Sequence, residues 1–166
     1  MQPAEYWIEK LDLQRHPEGG FYKETYRSAQ KIPLHALPSG FQGERNASTA
    51  IYFLIRAADK SMFHRIKSDE LWHFHAGTPL LIYILGNDGL VTQKLGTDLD
   101  AGEVPQLVMP ANHWFGARIP DGGQYTLSSC SVAPGFDFQD FEMASREYLL
   151  QHFPAQHEII NQLTPP

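Results

Sequence analysis

Four side chains that can perform acid–base or metal chemistry lie in one short stretch of the chain: His64, Glu70, His73 and His75. Imidazole and carboxylate groups act as general acids and bases and also bind divalent metals. Side chains alternate along a β-strand, so a strand that starts at Glu70 places Glu70 on the face opposite to His73 and His75. We therefore expect His64 and Glu70, on either side of a turn, to converge on one interior. His73 and His75 would join them only through a β-bulge.

A second candidate surface lies on the predicted strand of residues 21–27, where Tyr22 and Glu24 share one face. A carboxylate among aromatic side chains is costly to bury without a partner, so this face is interpreted as the wall of a pocket. Trp72 shares the predicted face of Glu70 and would contribute to the same ligand-binding surface.

The elements that must position these groups are short strands. Alternation and turn residues predict an N-terminal helix over residues 4–11, a long loop over residues 28–46 that is a candidate lid, and a hairpin turn at residues 86–89. Two helices are predicted at the C-terminus, one ending before Pro154 and one over about residues 156–163. Strands are predicted over residues 21–27, 47–55, 80–85, 90–95, 106–109, 113–119 and 125–132. Many short strands at this spacing indicate a β-sandwich or β-barrel.

Composition limits the classes of partner. The 166 residues, 42% of them hydrophobic, suit a single domain over residues 1–166 with a sizeable core. Thirteen basic and 19 acidic residues give a net charge of −6, which disfavours nucleic acid polymers, and no apolar run has the length of a membrane helix. A lone cysteine, Cys130, excludes an intramolecular disulfide, and the first residues lack the pattern of a signal peptide. We expect a cytoplasmic protein whose partner is a small molecule.

The spacing around Glu70 resembles the first sequence motif of the cupins. Six residues separate Glu70 from Gly77, as in that motif, and His64 matches the first histidine of the His-x-His pair that precedes the glutamate. Ile66 stands where the second histidine of the pair is usual.

Further stretches are similar to the family of small bacterial and fungal cupins called cupin-5, which has no settled function. They are residues 16–28, 48–54, 68–73 and 133–142, and together they extend over nearly the whole chain. The resemblance implies an all-β fold, the double-stranded β-helix of the cupin or jelly-roll barrel, with a short N-terminal helix and C-terminal helices. It also implies a homodimer, which the edge strands of an open sheet would favour.

The second cupin motif leaves open whether the chain binds a metal. The resemblance implies three histidines and one glutamate around iron, manganese or zinc, but Phe115 occupies the position of the third histidine. A divalent metal would rest on His64 and Glu70, with His113 as a third ligand if its side chain points the same way as that of Phe115. His113 and Phe115, with Glu24 and Trp72, complete the candidate ligand-binding set.

These candidate residues are compatible with three functions. The first is a metal-free epimerase or isomerase of sugars or sugar nucleotides, similar to enzymes with the same barrel. In it His64 is the base, Glu70 its orienting partner, and Tyr22 or Tyr52 the proton donor. The second is a metal-dependent oxygenase or isomerase that uses His64, Glu70 and His113. The third is a ligand-binding or sensor module without catalysis.

Overall fold

A computed structural model describes residues 2–86 and 89–165 of the chain. Its three α-helices are α1 (Ala4–Lys10), α2 (Arg146–His152) and α3 (His157–Gln162). Its fourteen strands, some only two residues long, are β1 (Gln14–Arg15), β2 (Phe21–Arg27), β3 (Lys31–Ile32), β4 (Arg45–Asn46), β5 (Thr49–Arg56), β6 (Lys60–Arg65), β7 (Asp69–Gly77), β8 (Leu80–Gly86), β9 (Gly89–Leu95), β10 (Glu103–Val104), β11 (Gln106–Met109), β12 (Trp114–Arg118), β13 (Tyr125–Ala133) and β14 (Glu142–Met143).

Two six-stranded sheets form the body of the protein. The first has the order β1-β2-β5-β13-β7-β11 and the second the order β10-β9-β8-β12-β6-β14, while β3 and β4 pair separately. Several neighbours in each sheet are distant in sequence, as in the register of Ser128 opposite Phe53 and Phe74. This is the all-β jelly-roll arrangement that the strand spacing and the cupin motifs predict.

The main hydrophobic core lies between the two sheets. It contains inward-facing residues of both, among them Phe53 and Trp72 from the first sheet and Ile82 and Phe115 from the second. Burial of apolar side chains from two facing sheets is the dominant stabilisation of such a sandwich.

The helices cover the outer faces of the sheets. Helix α1 places Trp7 and Ile8 against Leu54 and Leu127 of the first sheet. Helices α2 and α3 cover the second sheet, where Leu149 and Ile160 pack with Phe63, Trp114 and other residues. None of the helices formed by the described residues is long and apolar enough to cross a membrane.

Most predicted elements are present, with differences of at most five residues at their ends. Asn87 and Asp88 of the predicted hairpin turn lie outside the described residues, although Gly86 and Gly89 on either side of them pair. The predicted loop of residues 28–46 contains the short β3–β4 ribbon. The first C-terminal helix is capped by Ser145, whose side chain accepts a hydrogen bond from the backbone N–H of Tyr148.

Candidate functional site

A cavity of about 500 Å³ opens between the sheets. Its wall combines inward-facing residues of β2, β5, β6, β7 and β13 with the loop before β2 and the segment after β13. Pockets of this volume accommodate small organic molecules. Among the lining residues are the predicted His64, Glu70, Tyr22, Glu24 and Trp72.

An ion pair between Glu18 and His64 lies in this wall. Nε2 of His64 is 2.9 Å from Oε2 of Glu18, and both side chains are buried. The other carboxylate oxygen of Glu18 accepts a hydrogen bond of 2.8 Å from the hydroxyl of Ser61. Glu18, and not Glu70 as the sequence analysis expected, is therefore the partner of His64.

The ring of His64 is bonded on both nitrogens. Nδ1 is 2.7 Å from the carbonyl oxygen of Met62, which can only accept, so Nδ1 carries a proton. Burial disfavours the imidazolium, but the charge and hydrogen bond of Glu18 outweigh it and hold the pKa of His64 above its usual value. Burial likewise opposes the charge of Glu18, but His64 lowers the pKa of Glu18 below its usual value. With a carbonyl oxygen at Nδ1 and a carboxylate oxygen at Nε2, His64 has no free ring nitrogen with which to act as a base on a ligand.

Two glycines bring Glu18 to this position. The loop of residues 16–20 passes so close to β6 that a side chain on Gly19 would collide with the carbonyl of Lys60. Gly19 and Gly20 have φ angles of 113° and 72°, which favour glycine. The carbonyl of Glu18 also accepts a hydrogen bond of 2.9 Å from the backbone N–H of Met62, which fixes the loop on β6.

His16, at the start of the same loop, lines the cavity as a neutral imidazole. Burial lowers the pKa of His16, although the charge of Glu18 opposes this effect. Nδ1 of His16 accepts a hydrogen bond of 3.3 Å from the backbone N–H of Glu18, which agrees with an unprotonated Nδ1.

Glu70 differs from Glu18 in having no ion-pair partner within the described residues. Its carboxyl group lies near Cys130 and Trp72 but has no hydrogen bond of ordinary geometry to a described residue. Burial, reinforced by the charge of Glu18 and opposed by His64, raises the pKa of Glu70 to about 7. At neutral pH Glu70 is close to the midpoint of its titration, so it can both accept and donate a proton.

Trp72 and Cys130 lie beside Glu70 in the wall. The indole Nε1 of Trp72 is buried and has no hydrogen-bond partner in the described part of the chain. Burial, followed by the charge of Glu70, raises the pKa of the Cys130 thiol well above its usual value. Cys130 is therefore a neutral thiol and a poor nucleophile.

At the rim of the cavity, Arg27 forms a bidentate ion pair with Glu24. Nε and one terminal nitrogen of Arg27 donate to the two carboxylate oxygens of Glu24 at 3.0 and 2.7 Å. The other terminal nitrogen donates to the side-chain oxygen of Asn46 and to the carbonyl of Phe136. The pair connects β2 to the segment that follows β13.

Three phenylalanines of that segment form an aromatic cluster: Phe136, Phe138 and Phe141. Their ring centroids lie 4.9 to 6.3 Å apart with interplanar angles of 69° to 82°, and all three line the cavity. Arg45 and Asp140 form a buried bidentate ion pair that anchors the same segment, with distances of 2.7 and 2.8 Å.

The sequence model of the family described as "Cupin superfamily (DUF985)" matches residues 5–144. The chain belongs to this cupin family. The match includes every cavity residue described above.

Solved structures of two similar proteins have the same fold over their full length. Protein SO0799 from Shewanella oneidensis is 41% identical, with a TM-score of 0.88, over 100% of this cupin and 99% of that chain. A hypothetical protein from Leishmania major is 34% identical, with a TM-score of 0.90, over 99% of this cupin and 100% of that chain. Uncharacterized protein YML079W of Saccharomyces cerevisiae is 29% identical over 87% of this cupin and 77% of its own length.

Three of the residues predicted for the site do not line the cavity of this cupin. Tyr52 faces outward and packs beside α1, so it cannot be the proton donor. Phe115 is buried in the core, its ring centroid 4.2 Å from that of His64, so it supports His64 without lining the cavity. His113 lines a separate pocket with Trp114 and cannot join His64 and Glu70 as a metal ligand.

His73 and His75 lie outside the cavity, as strand alternation predicts. The pairing of β7 with β13 shifts at His75, so a bulge is present. It does not turn either histidine inward: His73 pairs opposite Ser129, and Nε2 of His75 lies 2.9 Å from the hydroxyl of Ser129.

The cavity residues of this cupin do not form the metal site of three histidines and one glutamate that the cupin resemblance implies. Both ring nitrogens of His64 are engaged by Met62 and Glu18, and the other two histidine positions of the cupin motifs hold Ile66 and Phe115. The described residues contain no group of three or more His, Cys, Asp or Glu side chains placed to hold a metal ion.

Sequence reasoning missed Glu18, His16 and Arg27 as cavity residues. The signal for the first two was the stretch His16-Pro17-Glu18-Gly19-Gly20, interpreted as a turn because of its proline and glycines. A buried glutamate in a glycine turn needs a cationic partner, and His64 is that partner in the structure.

Proposed function

We propose that the cavity binds a small polar molecule and transfers protons on it, as a metal-free isomerase or epimerase of a sugar or a sugar-like carbonyl compound. The observation that carries this proposal is Glu70, a buried carboxyl group on the cavity wall that has no ion-pair partner among the described residues and lies next to the Glu18–His64 pair. A carboxyl group placed in this way is typical of catalytic acids and bases.

Glu70 takes the role of the base in this proposal. Its pKa of about 7 leaves a large fraction ionised at neutral pH while keeping it basic enough to remove a proton. The proton comes from a carbon beside a carbonyl group of the substrate, and the C–H electron pair forms an enolate. The indole of Trp72 lies beside Glu70 and bounds the space in which the enolate forms.

Tyr22 is the proposed proton donor. It lines the cavity from β2, and its hydroxyl makes no hydrogen bond to a described residue. Strands β5 and β13 separate β2 from β7, which places the two backbones about 14 Å apart at about 4.8 Å per strand. A sugar ring fits between the side chains of Tyr22 and Glu70. Tyr22 gives its proton to the enolate carbon, inverting it, and the tyrosinate regains the proton held by Glu70 through solvent.

His64 and Glu18 act on Glu70 through charge in this scheme. The negative charge of Glu18 raises the pKa of Glu70 and the positive charge of His64 lowers it. The pair therefore adjusts the basicity of Glu70, and His64 is a positioning residue and not the base.

Solvent exchange tests the proposal. The protein is incubated in D₂O with a panel of ketoses, aldoses and their nucleoside diphosphate derivatives, and deuterium at the carbon beside the carbonyl is measured by mass spectrometry. We expect incorporation with at least one compound, its loss in Glu70→Gln, and its retention in His113→Gln, which alters a residue outside the cavity. Binding of a compound without any exchange would contradict proton transfer and favour a ligand-binding module.

A further inference from the structure

The charged side chains that line the cavity restrict the class of ligand that it can bind. Four carboxyl groups line it, on Glu18, Glu24, Glu70 and Asp137, against two cationic side chains, Arg27 and His64. Each cation already has a carboxylate at 2.7 to 2.9 Å, with Glu24 next to Arg27 and Glu18 next to His64. No lining cation within the described residues is left to neutralise an anionic ligand.

Most hydrogen-bond donors of Arg27 are also occupied. Four of its five N–H groups are accounted for by Glu24, Asn46 and Phe136. A phosphate would need these donors, because bidentate arginine contacts are the usual way in which a protein holds that group. Binding it here would require breaking the ion pair with Glu24.

The remaining carboxyl groups would repel an anion. Asp137 forms no ion pair within the described residues, and its side chain only accepts a hydrogen bond from the backbone N–H of Gln139 at 2.8 Å. Glu70 has no cationic partner of its own either. An anionic ligand would thus approach two carboxyl groups that have no ion pair among the described residues, in a partly buried site where charge interactions are strong.

The uncharged part of the cavity wall suits a neutral ligand. The indole of Trp72 is buried beside the carboxyl group of Glu70, and its Nε1–H makes no hydrogen bond of ordinary geometry within the described residues. The aromatic cluster and Tyr22 offer flat apolar surface for a ring.

We propose that the cavity selects an uncharged ring that carries a carbonyl oxygen and rejects phosphorylated and nucleotide-linked compounds. This inference rests on the proposed function and narrows it from sugars and sugar nucleotides to unphosphorylated carbonyl compounds. The ring packs against the aromatic cluster, and its carbonyl group lies next to Glu70 and the indole of Trp72.

Two probes with the same ring test the inference: cyclohexanone, which is neutral, and cyclohexyl phosphate, which is anionic. The indole N–H signal of Trp72, assigned with Trp72→Phe, is followed by NMR on the full chain. We expect cyclohexanone to shift this signal saturably in the millimolar range and cyclohexyl phosphate to bind at least about tenfold more weakly. The indole of Trp7, which donates to the hydroxyl of Tyr125 at 2.9 Å, is the internal control and should not move.

A charge variant makes the test specific. Glu24→Gln releases Arg27 from its ion pair, so it should raise the affinity for cyclohexyl phosphate about tenfold relative to that for cyclohexanone. Equal or tighter binding of cyclohexyl phosphate to the parent protein, or no saturable shift with cyclohexanone, would overturn the inference. Deuterium exchange is scored separately, so proton transfer on a phosphorylated sugar would overturn the inference and leave the proposed function intact.

Discussion

Nε2 of His64 lies 2.9 Å from Oε2 of Glu18, which joins β6 to the loop before β2. The two groups stabilise each other's charged forms in a buried environment, since the pKa of His64 is raised and that of Glu18 is lowered. The charge of Glu18 also acts on Glu70, the remaining buried carboxyl group of the cavity. One ion pair therefore connects the stability of the barrel to the protonation of the candidate site.

Removing the charge of Glu18 should destabilise the protein. Glu18→Gln leaves a buried imidazolium without its partner, at a cost of roughly 3 kcal/mol. The free energy of unfolding, measured with urea at neutral pH, should fall by this amount. The pKa of His64, measured by NMR, should fall from its raised value because burial then acts without Glu18.

The control for this variant is Glu44→Gln, which changes an exposed glutamate paired with Lys31. Such surface pairs contribute about 0 to 1 kcal/mol, so little change is expected. Equal stability of the Glu18 and Glu44 variants would show that the Glu18–His64 pair contributes nothing net.

Glu70 should make the protein less stable as the pH rises. Its pKa is 4.5 when unfolded and about 7 when folded, so between these values the folded state holds a proton that the unfolded state has lost. The free energy of unfolding therefore falls with rising pH, by on the order of 3 kcal/mol in total, and this contribution is constant above the folded pKa. Urea unfolding of Glu70→Gln should show a smaller decrease between about pH 5 and about pH 8. A pH profile identical to that of the parent would refute the raised pKa.

The ion pair between Arg45 and Asp140 should be required to hold the segment after β13 in the cavity wall. Asp140→Asn removes the carboxylate from a buried guanidinium, which then keeps only the carbonyl oxygens of Gly43 and Glu44 as backbone acceptors. We expect a loss of roughly 3 kcal/mol in unfolding free energy and weaker binding of cyclohexanone. Asp121→Asn, at an exposed pair with Arg118, should change neither measurement. Loss of stability without loss of cyclohexanone binding would show that the segment anchored by Asp140 does not contribute to the ligand site.

Cys130 should be unreactive in the folded protein. Its thiol is buried and its pKa is raised well above the usual value, so almost no thiolate exists at neutral pH. We expect no absorbance change with dithionitrobenzoate in buffer and complete reaction of the same sample in guanidinium. Fast reaction of the folded protein would mean that the cavity wall opens readily.

We propose that the protein is a homodimer paired through the edge of the first sheet. Strand β11 is the last strand of this sheet, so one side of it has no strand partner, and Val108 is 47% exposed there. Light scattering at micromolar concentration should give twice the 18.8 kDa of one chain. Val108→Lys should yield monomers, while Val91→Lys, at a valine that is 49% exposed on β9, should not. A monomer mass for the parent chain would refute the proposal.

The sequence by itself predicted the fold and half of the candidate site. Alternation along β7 places Glu70 and Trp72 on the inner face and His73 on the outer one, and the structure confirms this arrangement. Such patterns are local: each residue's face follows from its neighbours in the same strand. The same reasoning correctly placed Tyr22 and Glu24 in the wall.

Only the tertiary structure decided which groups meet. Glu18 reaches His64 because the glycine loop before β2 packs on β6, a contact between segments far apart in the chain. Tyr52 and His113 have residue types that suit a site, but α1 covers one and the other lies in a second pocket. The pKa of Glu70 depends on burial and on the charges of Glu18 and His64, and these exist only once both sheets have closed around the cavity. Strand periodicity determines the face on which a side chain lies, whereas its partner and its charge are set by the packing of distant segments.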